Sequence, residues 1–323
     1  MSSSRIPLII DTDLSMGELG SEIDDGFALA VAVAEPRIEL LAVTCVHGNT
    51  DVETVSALTG DFLRRAGRED IPVHPGAAVP LRRVPRSSAV ATPSASAAHD
   101  ELLAANGAAA DSLDRLVRER PGEVTVLAIG PLTNIAEAFV RSPELVPLIR
   151  ELVVMGGVFQ AQTGRADLPG EFNVWIDPDA LAIVLRSGVK LRMVGLDVTE
   201  RIRFSRAAAH ALAGVRGLAG ELGRFTEAWI DRTRARRPGD SRLEGGCALH
   251  DPLAFCAVVE PDLFAWRPAF LQVETVSDLT RGVVIADLLA GAHPPEPNAL
   301  IAVDIDVDAA IRFVTDSLGA LTR

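Results

Sequence analysis

Cysteine is scarce in this chain. Cys45, Cys247 and Cys256 are its three thiols, odd in number, set in apolar contexts and without a CxxC spacing. That excludes a disulfide framework and a sulfur-liganded zinc site, and it suits a reducing cytoplasm. Lysine is scarcer still, because Lys190 stands alone and the other cationic side chains are arginines. With a net charge of −13 and no long basic face, nucleic acid is excluded as an expected partner. The densest basic group, Arg232, Arg234, Arg236 and Arg237, is surrounded by acids and a Pro-Gly turn and reads as a solvated face. No apolar run reaches the length of a membrane span, and MSSSRIPLII lacks the pattern of a secretory signal. A soluble, cytoplasmic protein is expected. No internal repeat or shift in composition marks a boundary, so a single domain over 1–323 is expected, with mobile loops at 80–99 and 232–246.

What the chain does have is acid at the ends of apolar strands. Pro7 to Ile10 has the length and β-branched content of a buried strand, and it runs into Asp11-Thr12-Asp13. A glycine-bearing loop follows, and Asp24-Asp25 then opens the apolar segment Phe27 to Val33. Those two acids sit where a helix begins, and free backbone N–H groups in a first turn favour carboxylates. Four acids thus converge beyond the carboxyl end of one strand, the usual ligand crevice of an open α/β sheet. Such a group repels itself unless protons or a cation offset the charge. Its donors are all hard oxygens, which points to Ca²⁺ or Mg²⁺ rather than zinc.

The pattern repeats downstream. The strand candidate Ile38 to Val46 ends in His47-Gly48-Asn49, and Val124 to Ile129 breaks at Gly130-Pro131-Leu132-Thr133-Asn134. Leu152 to Met155 ends in Gly156-Gly157, and Leu191 to Leu196 ends at Asp197. Helical periodicity fills 51–66, 135–150, 178–187 and 205–237, and Leu113 to Arg118 reads as a helix capped by Asp111 or Ser112. Late strands are expected at 269–276 and 299–307, with a closing helix at 308–320. Strand and helix alternating in this way predict an α/β fold with a mainly parallel central sheet flanked by helices.

Seven pieces carry a family resemblance in chain order: IIDTD…EIDD, HGN at 47–49, GPLTN at 130–134, MGG at 155–157, EFNVWIDPDA at 171–180, GLDVT at 195–199 and HDPLA at 250–254. Together they make the chain similar to the inosine-uridine type nucleoside hydrolases from the first strand to the last helix. The resemblance implies a Rossmann-like core and hydrolysis of the N-glycosidic bond of a ribonucleoside. It implies one bound Ca²⁺ and, by analogy, a homo-oligomer, dimer or tetramer. Asp13 matches the acid that both holds the metal and takes a proton from the attacking water. Asp25 and Asp251 match carboxylate ligands, Thr133 a ligand through its backbone carbonyl, and Asp11 a more peripheral acid. Asp24, Asn49, Glu171 and Asn173 match groups that hold the sugar, with Phe172 beside it, and Asp251 also faces the substrate. His250 matches a residue that protonates the leaving base, though before Asp251-Pro252 a helix-capping role is equally open. Trp229 either stacks on a base or packs, and packing is preferred. The apolar surroundings of Cys247 argue against a nucleophile.

Three departures bear on the substrate. Ten residues, Leu14 to Ile23, replace the family's usual spacer of three, bringing in Glu18 and Glu22. Arg165 stands where the family usually places an Asn, which hints at an anionic substrate group or a solvent-facing loop. The family's His-Gly signature is missing near 82–100, leaving only His99-Asp100. Two other readings compete with a hydrolase. One is a nucleoside- or sugar-binding protein of the same fold without turnover, weighed against by the retention of Asp13, Asp25 and Asp251. The other is a Mg²⁺ phosphatase of the haloacid-dehalogenase type, which DTDLS resembles and in which Asp11 would be the nucleophile. That family needs a downstream lysine and a late acidic pair, and the solitary Lys190 counts against it.

Overall fold

Strand β1, Ile6–Thr12, is the axis of the molecule, and every residue from Pro7 to Thr12 is buried. The structure, a computed structural model, describes residues 5–18, 20–82, 107–289, 291 and 294–321. Most of the loop expected at 80–99, and His99-Asp100 with it, lies outside the described residues.

In chain order the other strands are β2 Ile38–Cys45, β3 Val73–Pro75, β4 Thr125–Ala128, β5 Glu151–Met155, β6 Leu191–Val194, β7 Arg203–Ser205, β8 Gly246–Ala248, β9 Phe264–Val273, β10 Val284–Asp287 and β11 Ala299–Ile305. Nine of them form one sheet in the order β10-β9-β11-β6-β5-β4-β1-β2-β3. The pairs from β3 across to β11 are parallel, and only β11–β9 and β9–β10 are antiparallel. The mainly parallel α/β sheet expected from the sequence is therefore present. From β1 the chain first builds outward through β2 and β3, then returns to add β4, β5 and β6 on the other side. The reversal leaves a crevice beyond the carboxyl ends of β1 and β4, where sheets of this kind hold ligands.

Side chains alternate across the sheet, so β1 feeds two cores. Leu8 and Ile10 join Phe27, Leu29 and Phe255 on one face, while Ile9 joins Leu113, Ile135, Phe139 and Leu181 on the other. Two helices in the first core are buried almost all round: Asp24 to Ala32 of the helix Asp24–Ala34, and Asp251 to Val259 of the helix His250–Val259. That explains why they read as plain apolar runs rather than amphipathic stripes. They pack against each other, and each opens with an acid, Asp24 or Asp251, that faces the crevice.

Several elements differ from the sequence-based expectation, each for a local reason. The helix expected at 135–150 is Thr133–Arg141 followed by a 3₁₀ segment, Pro143–Leu148, because Pro143 and Pro147 lack the N–H groups an α-helix needs. The helical stretch expected at 205–237 is split into Arg206–Ala213 and Gly217–Arg236, with Gly217 at φ +76°. Gly107–Glu119 begins before Asp111 and Ser112, so neither caps it. Residues 232–236, expected in a loop, form the last turn of the helix Gly217–Arg236. The sequence reading also missed β10 and the antiparallel pair β7–β8, whose three-residue strands are too short to show a period. No helix among the described residues is long and apolar enough to cross a membrane.

Phe255 has no exposed surface and stacks on Phe313 with ring centroids 6.5 Å apart. Phe255→Ala is expected to cost about 3–5 kcal/mol of stability, read as a lower urea midpoint at unchanged m-value. A loss below about 1 kcal/mol would mean that the two buried helices do not form a rigid core.

Candidate active site

The crevice is a cavity of about 320 Å³ with an acidic floor and a mixed rim. Asp13, Glu22, Asp24, Asn49, Glu171, Phe172, Asn173, His250 and Asp251 all line it. Sequence positions more than two hundred residues apart meet here because β1, β4 and β5 end side by side and two helices begin above them.

The floor is held by a dense set of hydrogen bonds. The Asp13 backbone N–H donates to Asp25 Oδ1 at 3.2 Å, and the Thr12 hydroxyl donates to the same oxygen. Asn49 grips both acids, its backbone N–H donating to Asp13 Oδ2 at 2.8 Å and its side-chain Nδ2 to Asp25 Oδ2 at 3.4 Å. Gly48 is required beside it, since a Cβ there would fall 2.0 Å from Asp13 Oδ2. Asp24 Oδ2 accepts the backbone N–H of His250 at 2.9 Å, which ties the two helix starts together. Glu22 accepts the Asp24 N–H at 3.0 Å. Glu18, from the same insertion, is exposed on the surface instead.

These acids are buried with too little to neutralise them. Burial, reinforced by the Asp25 charge, raises Asp13 well above the usual carboxylate range. Burial pushes Asp25 up to about 7 against the opposing Thr12 hydrogen bond, and Asp24 adds repulsion. Asp251 is raised by burial and then by Asp24, Asp25 and Glu22. The residue is only 4% exposed, and its carboxylate accepts no hydrogen bond from the described residues. Oxygens of Glu22, Asp25 and Asp251 lie within 4.8 Å of one another. Carboxylates this close ionise together only around a cation, and a donor set made of oxygen alone suits a hard divalent ion.

Asp11 and Thr133 stand apart from this set. Asp11 is fully buried, with Oδ2 accepting from Thr44 Oγ1 at 2.6 Å and from Asn134 Nδ2 at 2.7 Å. Asn134 also donates to the Cys45 carbonyl and accepts the Ala77 N–H, so the pair braces β1 against β2 and the helix Thr133–Arg141 behind the floor. An acid buried in this way cannot attack a substrate, which removes the phosphatase reading of DTDLS. Thr133 opens its helix with its hydroxyl donated to Asp177 Oδ2 at 2.8 Å. Like Asp11 and Asp25, it lies beneath the cavity surface rather than on it.

The wall comes from the segment after β5. Glu171 caps the helix Phe172–Ile176 and accepts N–H groups from Asn173 at 2.9 Å, Gly157 at 3.1 Å and Val174 at 3.2 Å. Asn173 Nδ2 donates to the Ile129 carbonyl at 2.9 Å and to the Met155 carbonyl at 3.3 Å, which fixes the ends of β4 and β5 together. His250 is the first residue of its helix, and its ring caps nothing. Nδ1 instead meets the Thr199 hydroxyl at 2.8 Å, setting the ring on the cavity wall. Thr199, Thr12 and Asn134 went unremarked as individual residues in the sequence, although all three lie inside the quoted motifs.

The rim is formed by Arg165, Arg203, Trp229, Thr233, Arg236, Arg237 and neighbours. Trp229 both packs against the core and faces the cavity. Arg165 lines the rim, but its guanidinium pairs with Asp167 at 2.6 Å, which offsets the positive charge it brings. No periodicity in the sequence marked this rim, because the helix Gly217–Arg236 reaches it only through its packing.

Comparison with known proteins agrees with this arrangement. The family pattern described as inosine-uridine preferring nucleoside hydrolase matches residues 8–312. The non-specific ribonucleoside hydrolase RihC of Escherichia coli (strain K12) is 35% identical over 323 residues, covering 97% of this chain and 98% of its own. An uncharacterized protein of Schizosaccharomyces pombe, C1683.06c, is 34% identical over 307 residues, 93% of this chain and 95% of its own. The solved structure of a plant nucleoside hydrolase, PpNRh1, superposes with a TM-score of 0.82 at 25% identity, covering 97% of this chain and 98% of its own. A purine-preferring ribonucleoside hydrolase from Gardnerella vaginalis gives a TM-score of 0.80 at 26% identity, with 98% and 99% covered. The chain belongs to the inosine-uridine preferring nucleoside hydrolase family and is an N-glycosyl hydrolase.

Proposed function

We propose that the protein hydrolyses the N-glycosidic bond of a ribonucleoside with the help of Ca²⁺, and that Asp13 is the general base. The observation that carries this reading is the unneutralised acidic floor facing, across one cavity, a wall of sugar-sized polar groups. Asp13, Asp25 and Asp251 supply carboxylate oxygens for the ion, with the backbone carbonyl of Thr133 as a further donor and Asp11 bracing them from behind. When bound, the cation offsets the acids' mutual repulsion and polarises the attacking water. Ca²⁺ acidifies water weakly, so a carboxylate base is still needed.

The residues divide the work by position. Asp24, Asn49, Glu171 and Asn173 hold the ribose, and Phe172 covers it. Held in this way, the anomeric carbon faces the water, which is a gain in proximity. As the bond from C1′ to the base nitrogen lengthens, the sugar takes on oxocarbenium character that the surrounding carboxylates stabilise. Water oxygen bonds to C1′, Asp13 accepts the proton, and the departing base takes a proton from His250. Thr199 keeps the His250 ring turned for that transfer.

Reducing-sugar release from a panel of ribonucleosides tests the reading directly. Activity is expected with Ca²⁺ and is lost with chelator; no release from any ribonucleoside would refute it. Asp13→Ala is expected to lower kcat by about 10²–10⁴-fold while the fold survives, and substantial residual turnover would reassign the base. His250→Ala is expected to slow ribosides with basic leaving groups much more than ribosides whose leaving group departs as a stable anion. Equal effects on both would remove His250 from proton transfer.

Stability should respond to pH in step with the charge. Asp11 and Asp25 both rise from 3.8 to about 7 on folding, chiefly through burial. Raised acids stabilise the fold below pH 4 and lose that contribution as pH climbs through about 7. Chelated protein should therefore melt progressively lower between those limits, and saturating Ca²⁺ should flatten the profile. A flat profile in chelator would mean the floor carries no excess charge.

A further inference from the structure

The ten-residue insertion between Asp13 and Asp24 delivers one acid to the floor and leaves the other in solvent. We propose that Glu22 is a direct carboxylate ligand of the cation, which it shares with Asp25 and Asp251. The proposal rests on the cation reading above and adds a ligand to it.

Three observations carry it. Glu22 lines the cavity, and its oxygen, with those of Asp25 and Asp251, completes the set that lies within 4.8 Å. Asp251, a residue almost wholly buried at 4% exposure, turns its carboxylate to the same set without a hydrogen-bond donor among the described residues. Both Glu22 oxygens approach the Asp24 N–H, at 3.0 and 3.1 Å, and the carboxyl also lies within hydrogen-bond reach of the Asp24 and Asp25 carboxyls, a crowding of acids that a shared cation relieves.

The insertion therefore does more than lengthen a loop. It raises the carboxylates around the ion from three, Asp13, Asp25 and Asp251, to four. More ligand charge and a looser, many-oxygen shell favour Ca²⁺, whereas Mg²⁺ demands a tight octahedron and keeps its own waters. A high preference for Ca²⁺ over Mg²⁺ follows from the same ligand.

A competing role is purely structural, because Glu22 also caps the first turn of the helix Asp24–Ala34 through the Asp24 N–H. Glu22→Gln separates the two roles, since the amide oxygen still accepts that N–H while the charge is gone. Calorimetric titration of Ca²⁺ into chelator-stripped wild type, E22Q and E18Q reads affinity without any turnover. E22Q is expected to bind Ca²⁺ about tenfold or more weakly, and E18Q within about twofold of wild type, because ligand charge sets affinity in such sites. The metal-free unfolding temperature of E22Q is expected to equal or exceed that of wild type, since one repelling charge is removed. E22Q affinity within about twofold of wild type would overturn the ligand assignment alone. A lost affinity matched by a lower metal-free unfolding temperature would assign Glu22 to the cap and also overturn it. Failure of wild type itself to bind Ca²⁺ would overturn the cation reading together with this one.

Discussion

The mutual repulsion of buried acids at the end of β1 is the constraint around which the rest of the molecule is arranged. Asp13, Glu22, Asp24 and Asp251 line one cavity, and Asp25 lies just beneath it. No cationic side chain pairs with them among the described residues. The protein instead gives them directed hydrogen bonds from Thr12, Asn49 and the His250 backbone, together with the starts of two helices whose N-terminal N–H groups favour negative charge. These terms hold the geometry without cancelling the charge. With the proposed cation bound, ligand binding and fold stability become parts of the same balance.

The surrounding apolar mass makes that arrangement affordable. The helices that carry Asp24, Asp25 and Asp251 are sheathed in hydrophobic contacts on nearly every side. Their cost-bearing ends can be strained because their shafts are not. Behind the floor, Asp11 and Asn134 lock β1 to its neighbours, so the acids in front cannot relax apart by letting the strand ends separate.

Much of this was legible in the sequence, and for identifiable reasons. Asp13, Asp24 and Asp25 announce themselves because a buried strand that runs straight into acids has few structural explanations. Asn49, Glu171, Asn173 and Asp251 were found through family motifs, since nothing in their local spacing says that they meet. The parallel sheet followed from alternation of strand and helix. The rim was legible only in part: Arg165 and Trp229 stood out, but Arg236 and Arg237 read as a solvated face, because their helix's register against the cavity depends on long-range packing. The pair β7–β8 was not legible, since three residues are too few to show a period. The split between Glu18 and Glu22 was also hidden, as both occupy one irregular loop and only its folded path sends them to opposite sides.

The small β7–β8 pair has a consequence for how this enzyme can change. β8 ends at Ala248, one residue before Leu249 and two before His250, while its partner β7 follows the short helix Leu196–Thr199. The two residues that meet through the His250 ring thus hang from the two strands of one short ladder. A substitution on the rim that shifts this ladder moves the His250 ring and its Thr199 support together. The His250 N–H to Asp24 bond then carries any such shift into the helix that opens the acidic floor, so the rim and the floor move in concert.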